Sequence, residues 1–183
     1  MLQRSMQPTI LIASPQMQDP FFERTVVLVW HYDEDGAIGV VVNRTLNHRL
    51  ADVLDIEGDI DLSPYAEVLV SWGGPVESGS GTVVTNGSIR DEEGWVLPSG
   101  LSVTRSQDAL VRLLSNQDAL MLCLGYAGWG PGQLDREIAL GGWLWTDCDA
   151  DIVFGVDADH RYDAALATLG LSATSVWMPP ISE

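Results

Sequence analysis

The stretch "TVVLVWHYDEDGAIGVVVN", residues 25–43, sets two β-branched runs around an Asp/Gly turn, the pattern of a β-hairpin. Val26, Val27, Leu28 and Val29 are consecutive rather than alternating with polar residues. A strand without alternation needs cover on both faces, so this hairpin is expected at the centre of the sheet. Gly39, inside the second run, predicts a bulge or the close approach of another backbone.

On the N-terminal side, "TILIA" (9–13) predicts a strand, then a turn at Ser14-Pro15 and a short helical piece from Asp19 to Arg24. On the C-terminal side, Leu50, Val53 and Leu54 suit a short helix, and "EVLVSWGGPV" (67–76) is a strand entering a glycine turn. "SGSGT" (78–82) has the look of a flexible turn, "GTVVTN" (81–86) of a strand, and "GWVLPSGLSVT" (94–104) of one or two short strands. Ala109, Leu110, Leu113 and Leu114 recur at helical spacing behind Ser106, an N-cap candidate, with Asp108 where the helix dipole favours it. "ALMLCLGY" (119–126) reads as a buried strand. After it come "GWLWT" (142–146), an acidic loop, the apolar run "IVF" (152–154), a helix near Asp157 to Leu169, and a tail, "MPPISE", expected to be mobile. Strands dominate without regular βαβ alternation, which predicts an α+β fold. Without repeats or linkers, residues 1–183 are expected to form a single domain.

Composition narrows the function. At 183 residues and 46% hydrophobic, the chain can bury one sizeable core. Its 26 acidic residues face 9 basic ones, all arginine, for a formal charge of −17. Such a field repels phosphate backbones and anionic membranes, and the arginines are scattered, so direct nucleic-acid binding is not expected. The short apolar run Thr9–Ala13 falls far below a signal-peptide core or a membrane span, so no membrane association is expected and the protein is read as cytoplasmic. Cys123 and Cys148 are too few for a disulfide framework or a cysteine zinc site, and Cys123 reads as a buried bystander thiol.

The segment "GYAGWGPGQLDREI" (125–138) is a strand-to-helix corner. With Gly130 as N-cap, Pro131 falls at the first helical position and Gln133 can reach back to the cap N–H, as in a capping box. Leu134 and Ile138, four apart, should face the core, and Asp135 and Glu137 suit the first turns. A phosphate loop is excluded, because the chain has no lysine and no G-x-G-x-x-G pattern. Tyr126 and Trp129 fit core packing and a pocket wall equally well, since both are amphipathic.

Other chemistries fit less well. Asp147, Asp149 and Asp151 are spaced like the start of a calcium loop, but Ile152 stands where glycine is needed and Ala158 where glutamate is needed. His31, His48 and His160 lack ligand spacing, so neither a metal nor a cofactor is expected. No serine sits in G-x-S-x-G, and Ser14 would need a histidine brought to it by the fold. Asp19 and Glu137 could pair across a pocket as acid and base, although Asp19 capping the helix at Pro20 and Glu137 meeting an arginine are the commoner fates.

The blocks "LIASPQMQDPFFERTVVLVWHYDEDGAIGVVVNR", "WGGPV" and "LGYAGWGPGQLDREIALGGWL" closely resemble the YqgE/AlgH family of bacterial proteins, in register from Ile10 to Leu171. That resemblance implies a mixed, mainly antiparallel bifurcated sheet curled into a pseudo-barrel with short flanking helices. It transfers no catalytic residues. The family's marked positions fall on Ser14, Pro15, Asp19, Phe21, Gly39, Asn43, Gly73 to Val76, Gly125, Tyr126, Gly128, Trp129, Gln133, Leu134, Glu137 and Trp143. Thr45 departs from the proline common after Asn-Arg, which loosens a turn without removing a functional group. Together these point to a non-enzymatic cytoplasmic binding or regulatory protein, with a protein or small-molecule partner. The candidate contact residues are Ser14, Asp19, Asn43, Gly74, Pro75, Tyr126, Gly128, Trp129, Gln133 and Glu137. The alternative is an enzyme of unrecognised class using Asp19, Asn43 and Glu137 in the same pocket.

Overall fold

The hairpin forms as its sequence dictates. In the computed structural model, which describes residues 9–147 and 150–173, Val26–Asp33 (β2) pairs antiparallel with Gly36–Val41 (β3) across a two-residue turn. Val26 to Val29 are all buried. The register slips between Val29 and His31, and a Cβ on Gly39 would stand 2.7 Å from the Leu28 carbonyl oxygen. Both halves of the expectation at Gly39 are met: an irregular ladder and a backbone at close quarters.

Ile10–Ala13 (β1) lies antiparallel on the other edge of β2, with Trp143–Thr146 (β10) beyond it. The strand that organises the rest is Leu120–Trp129 (β9). Its C-terminal half pairs antiparallel with β3, as in Ile38 opposite Gly128. Its N-terminal half runs parallel to Leu69–Trp72 (β5), which in turn pairs with Thr45–Arg49 (β4). The opposite edge of β9 carries Val76–Thr85 (β6), followed by Ser102–Thr104 (β8) and Gly94–Val96 (β7). The sheet is therefore mixed, mainly antiparallel and branched at β9. Its ladder ends at β10 on one side and β7 on the other, so the described strands do not close a hydrogen-bonded barrel.

Short helices flank the sheet: Leu50–Val53 (α1), Gln107–Ser115 (α2), Gln133–Ala139 (α3), Ala150–Phe154 (α4) and Ala158–Thr168 (α5). Ser106 caps α2, its hydroxyl accepting from the Ala109 N–H at 3.2 Å, and Ala109, Leu110, Leu113 and Leu114 are buried as the spacing requires. One apolar cluster gathers β1, β2, β3, α5 and the face of β9 that carries Met121, Cys123, Ala127 and Trp129, and a second joins α1, α2 and the face that carries Leu120 and Leu122.

Three local expectations are corrected, and one unassigned run is placed. "SGSGT" is not a loop but the interior of β6, held by the ladder to β9 although its register is irregular between Val76 and Gly81. Asp19 to Arg24 makes hydrogen-bonded turns instead of a helix, with the Phe22 and Glu23 N–H groups on the Asp19 carbonyl and the Asp19 carboxylate on the Phe21 N–H at 2.8 Å. "IVF" belongs to α4. The third helix begins at Gln133 after Gly132 in a left-handed conformation (φ 68°), so Pro131 lies in the preceding turn and not at the first helical position. Gln133 nonetheless accepts from the Gly130 N–H at 3.0 Å, because the 130–133 turn already brings the two together. The C-terminal "MPPISE", Cys148 and Asp149 lie outside the described residues.

Candidate functional site

Glycines set the geometry where β5, β6 and β9 meet. Gly74 (φ 154°) and Gly125 (φ 75°) cross so closely that a Cβ on Gly74 would stand 2.2 Å from the Tyr126 carbonyl oxygen, and one on Gly125 2.2 Å from the Gly74 oxygen. No side chain fits either place. The "WGGPV" and "LGY" motifs thus fix the path of β9 as it approaches the corner.

Past that crossing, β9 alternates strictly. Ala127 and Trp129 face the core, while Tyr126 and Gly128 face the other side. Trp129 is 7% exposed and meets Trp143 edge to face, ring centroids 5.9 Å apart at 79°, and Phe22 packs on both. The one polar group on each indole is its N–H, and a buried N–H requires an acceptor. Glu137 supplies it: its Oε2 accepts from Trp129 Nε1 at 2.8 Å and from Trp143 Nε1 at 3.0 Å. Its Oε1 accepts from Gln133 Nε2 at 3.0 Å, and the other end of that amide holds the Gly130 N–H. The arginine expected for Glu137 is replaced by two indoles and an amide, brought together by β9, α3 and β10.

This network lies beside a cleft of about 350 Å3, lined by Asp19, Gly128, Trp129, Gln133 and Glu137 among the candidate residues, together with Met17, Phe22, Leu140, Gly142 and Trp143. Phe22 lines this cleft, whereas its neighbour Phe21 stacks on Trp72. Leu140, 87% exposed, stands at the rim.

The other candidates lie apart from it. Ser14 is buried, its hydroxyl accepting from the Gln16 N–H at 3.3 Å. Asn43 is a clamp: Oδ1 accepts from the Val26 N–H and Nδ2 donates to the Arg24 carbonyl, each at 2.8 Å. With Arg44, which donates to the Phe21 and Glu23 carbonyls, it holds the turn that carries Asp19 and Phe22. Gly74 and Pro75 serve the strand crossing. Tyr126 lines a second cavity of about 390 Å3 with His31, Asp33 and Val76, and the Arg105 guanidinium lies 5.8 Å from the centre of its ring. The His31 imidazole meets Asp33 at 2.8 Å in the open. Among the described residues, no three His, Cys, Asp or Glu side chains are grouped to hold a metal ion, and no helix is long and apolar enough to cross a membrane.

Met17, Phe22, Leu140, Gly142 and Trp143 line the cleft without being among the contact residues that the sequence suggests. No local pattern marks Trp143 as a partner of Glu137, because only the fold brings the strand that carries it to that carboxylate.

The fold and the cleft define an AlgH-like protein. The AlgH-like family matches residues 10–174, and the chain belongs to that family. It is 39% identical over 165 residues to a UPF0301 protein of Ralstonia nicotianae, covering 88% of this chain and 87% of that one. A UPF0301 protein of Pseudoalteromonas translucida is 35% identical over 177 residues, covering 94% and 96%. The solution structure of the AlgH protein from Pseudomonas aeruginosa superposes over 100% of both chains with a TM-score of 0.75 at 30% identity. The crystal structure of protein DIP2367 from Corynebacterium diphtheriae shares the fold, with a TM-score of 0.72 at 22% identity over 92% of this chain and 90% of that one.

Proposed function

We propose that this is a non-enzymatic, cytoplasmic binding protein of regulatory type, a single domain that receives its partner or ligand in the cleft beside Trp129, Trp143 and Glu137. The observation that carries the reading is the convergence of Asp19, Phe22, Trp129, Gln133 and Glu137, from three separate segments, on one cavity. A volume of about 350 Å3 lies within the roughly 300–1,000 Å3 of small-ligand sites. The chemistry of the cleft favours holding over turnover. Glu137 is engaged by three N–H donors that fix its orientation, and the cleft presents no serine, cysteine, histidine or lysine among its lining residues. The enzymatic alternative needs Asn43 beside Asp19 and Glu137, but its amide is committed at both ends to the backbone of Arg24 and Val26. With a charge of −17, regulation would run through protein or small-ligand contacts in preference to DNA.

Crystals soaked with a diverse fragment set test the reading. Fragments should gather between Phe22 and Glu137. Their gathering instead in the Tyr126 cavity would overturn it.

A further inference from the structure

Resting on the reading of this cleft as a ligand site, we infer that its ligand is a small organic ammonium ion. Two carboxylates, Asp19 and Glu137, line the cavity, and no arginine or histidine does. An anionic guest would meet two like charges in a protein already at −17, and a neutral guest would gain hydrogen bonds from them but no charge pairing. Apart from Gln133, whose amide is held by Glu137 and the Gly130 N–H, the remaining wall is aromatic and apolar. Phe22, Trp129 and Trp143 pack against one another with centroid distances of 5.6–6.3 Å. Rings that line a site with acids are the surroundings in which alkylammonium groups bind, through ring quadrupole and carboxylate together.

Each carboxylate keeps acceptor capacity. Glu137 receives three N–H donors out of about four lone-pair positions, and Asp19 holds the Phe21 N–H through Oδ1. Gly128 and Gly142 leave the backbone side of the cavity without side chains, and a Cβ on Gly128 would meet nothing closer than 3.7 Å. At about 30 Å3 per water-sized unit, the cavity takes on the order of a dozen such units, a free amine rather than a folded partner.

Calorimetry at low salt with choline, its uncharged carbon isostere and the carboxylate of the same branched chain tests the charge. Choline should bind at least about tenfold more tightly than the isostere, and the carboxylate most weakly. Asp19→Asn keeps the Oδ1 acceptor of its turn, so it should stay folded and weaken choline about tenfold while leaving the isostere unchanged. Glu137→Gln, checked for folding by circular dichroism, should do the same. Equal binding of choline and isostere, with both displaced by enlarging Gly128 to valine, would overturn the ammonium assignment and leave the cleft reading standing. Binding of none of the three would overturn the assignment, and fragment density absent from the cleft as well would remove the reading beneath it. A trimethyllysine peptide binding where choline does not would overturn the free amine in favour of a protein side chain.

Discussion

Trp129 and Glu137 show how one residue serves both packing and site. Trp129 lies on the core face of β9, against Phe22 and Trp143, so truncating it removes a packed ring and one of the three donors to Glu137. Trp129→Ala should cost about 3–5 kcal/mol, and Leu134→Ala, fully buried on α3, about 2–5 kcal/mol. Tyr126, on the opposite face and half-buried, should lose only about 1–2 kcal/mol on change to alanine. Denaturant melts of the three variants check the order; a Tyr126→Ala protein as unstable as Trp129→Ala would contradict it. Of the two readings the sequence left open for these aromatics, the strand's alternation assigns Trp129 to the core face and Tyr126 to the other. Glu137's partners were not legible, because its indoles come from β9 and β10 and only the completed fold brings them within 3.0 Å.

At the scale of elements, local pattern carried far where backbone and side chain make the same demand. Val26 to Val29 announced a doubly covered strand, and Ser106 with Ala109, Leu110, Leu113 and Leu114 announced a capped helix. It failed at "SGSGT", where small polar residues look like a turn but sit in β6, paired to β9. That strand offers an internal contrast. Gly79 has nothing within 4 Å of a Cβ, whereas one on Gly74 would strike the Tyr126 backbone. Gly79→Ala should therefore be neutral or stabilise by up to about 1 kcal/mol, through the entropy of the unfolded chain. Gly74→Ala should destabilise instead, and thermal melts of the pair read the opposite signs. Equal effects would show that the crossing of Gly74 and Gly125 does not constrain the fold.

For the whole molecule, charge sets the terms. Duplex DNA followed by fluorescence anisotropy should show no tight, salt-sensitive binding, since no local cluster offsets −17; submicromolar affinity that falls with salt would contradict this. Acid sensitivity has a named contributor in Glu93. The Arg112 guanidinium, paired with it through both carboxylate oxygens, and the Arg90 N–H hold the Glu93 carboxyl down at about 2. Its folded pKa lies below the roughly 4.3 of an unfolded glutamate, so between those values the unfolded chain binds more protons. The stability it contributes is present above about pH 4.3 and is lost as pH falls towards 2. Comparing urea melts of the wild type and Glu93→Gln across that window isolates the term from the general charge: their difference should shrink on acidification, and a constant difference would contradict the assignment. The account of the molecule as a binding protein rests on the cleft, and the indole N–H signals of Trp129 and Trp143 report on it directly. In 15N-resolved spectra titrated with choline, these two signals should move together while those of Trp30, Trp72 and Trp95 stay in place. Movement confined to the other tryptophans would contradict the account, and no movement with choline or with any member of the fragment set would contradict it equally.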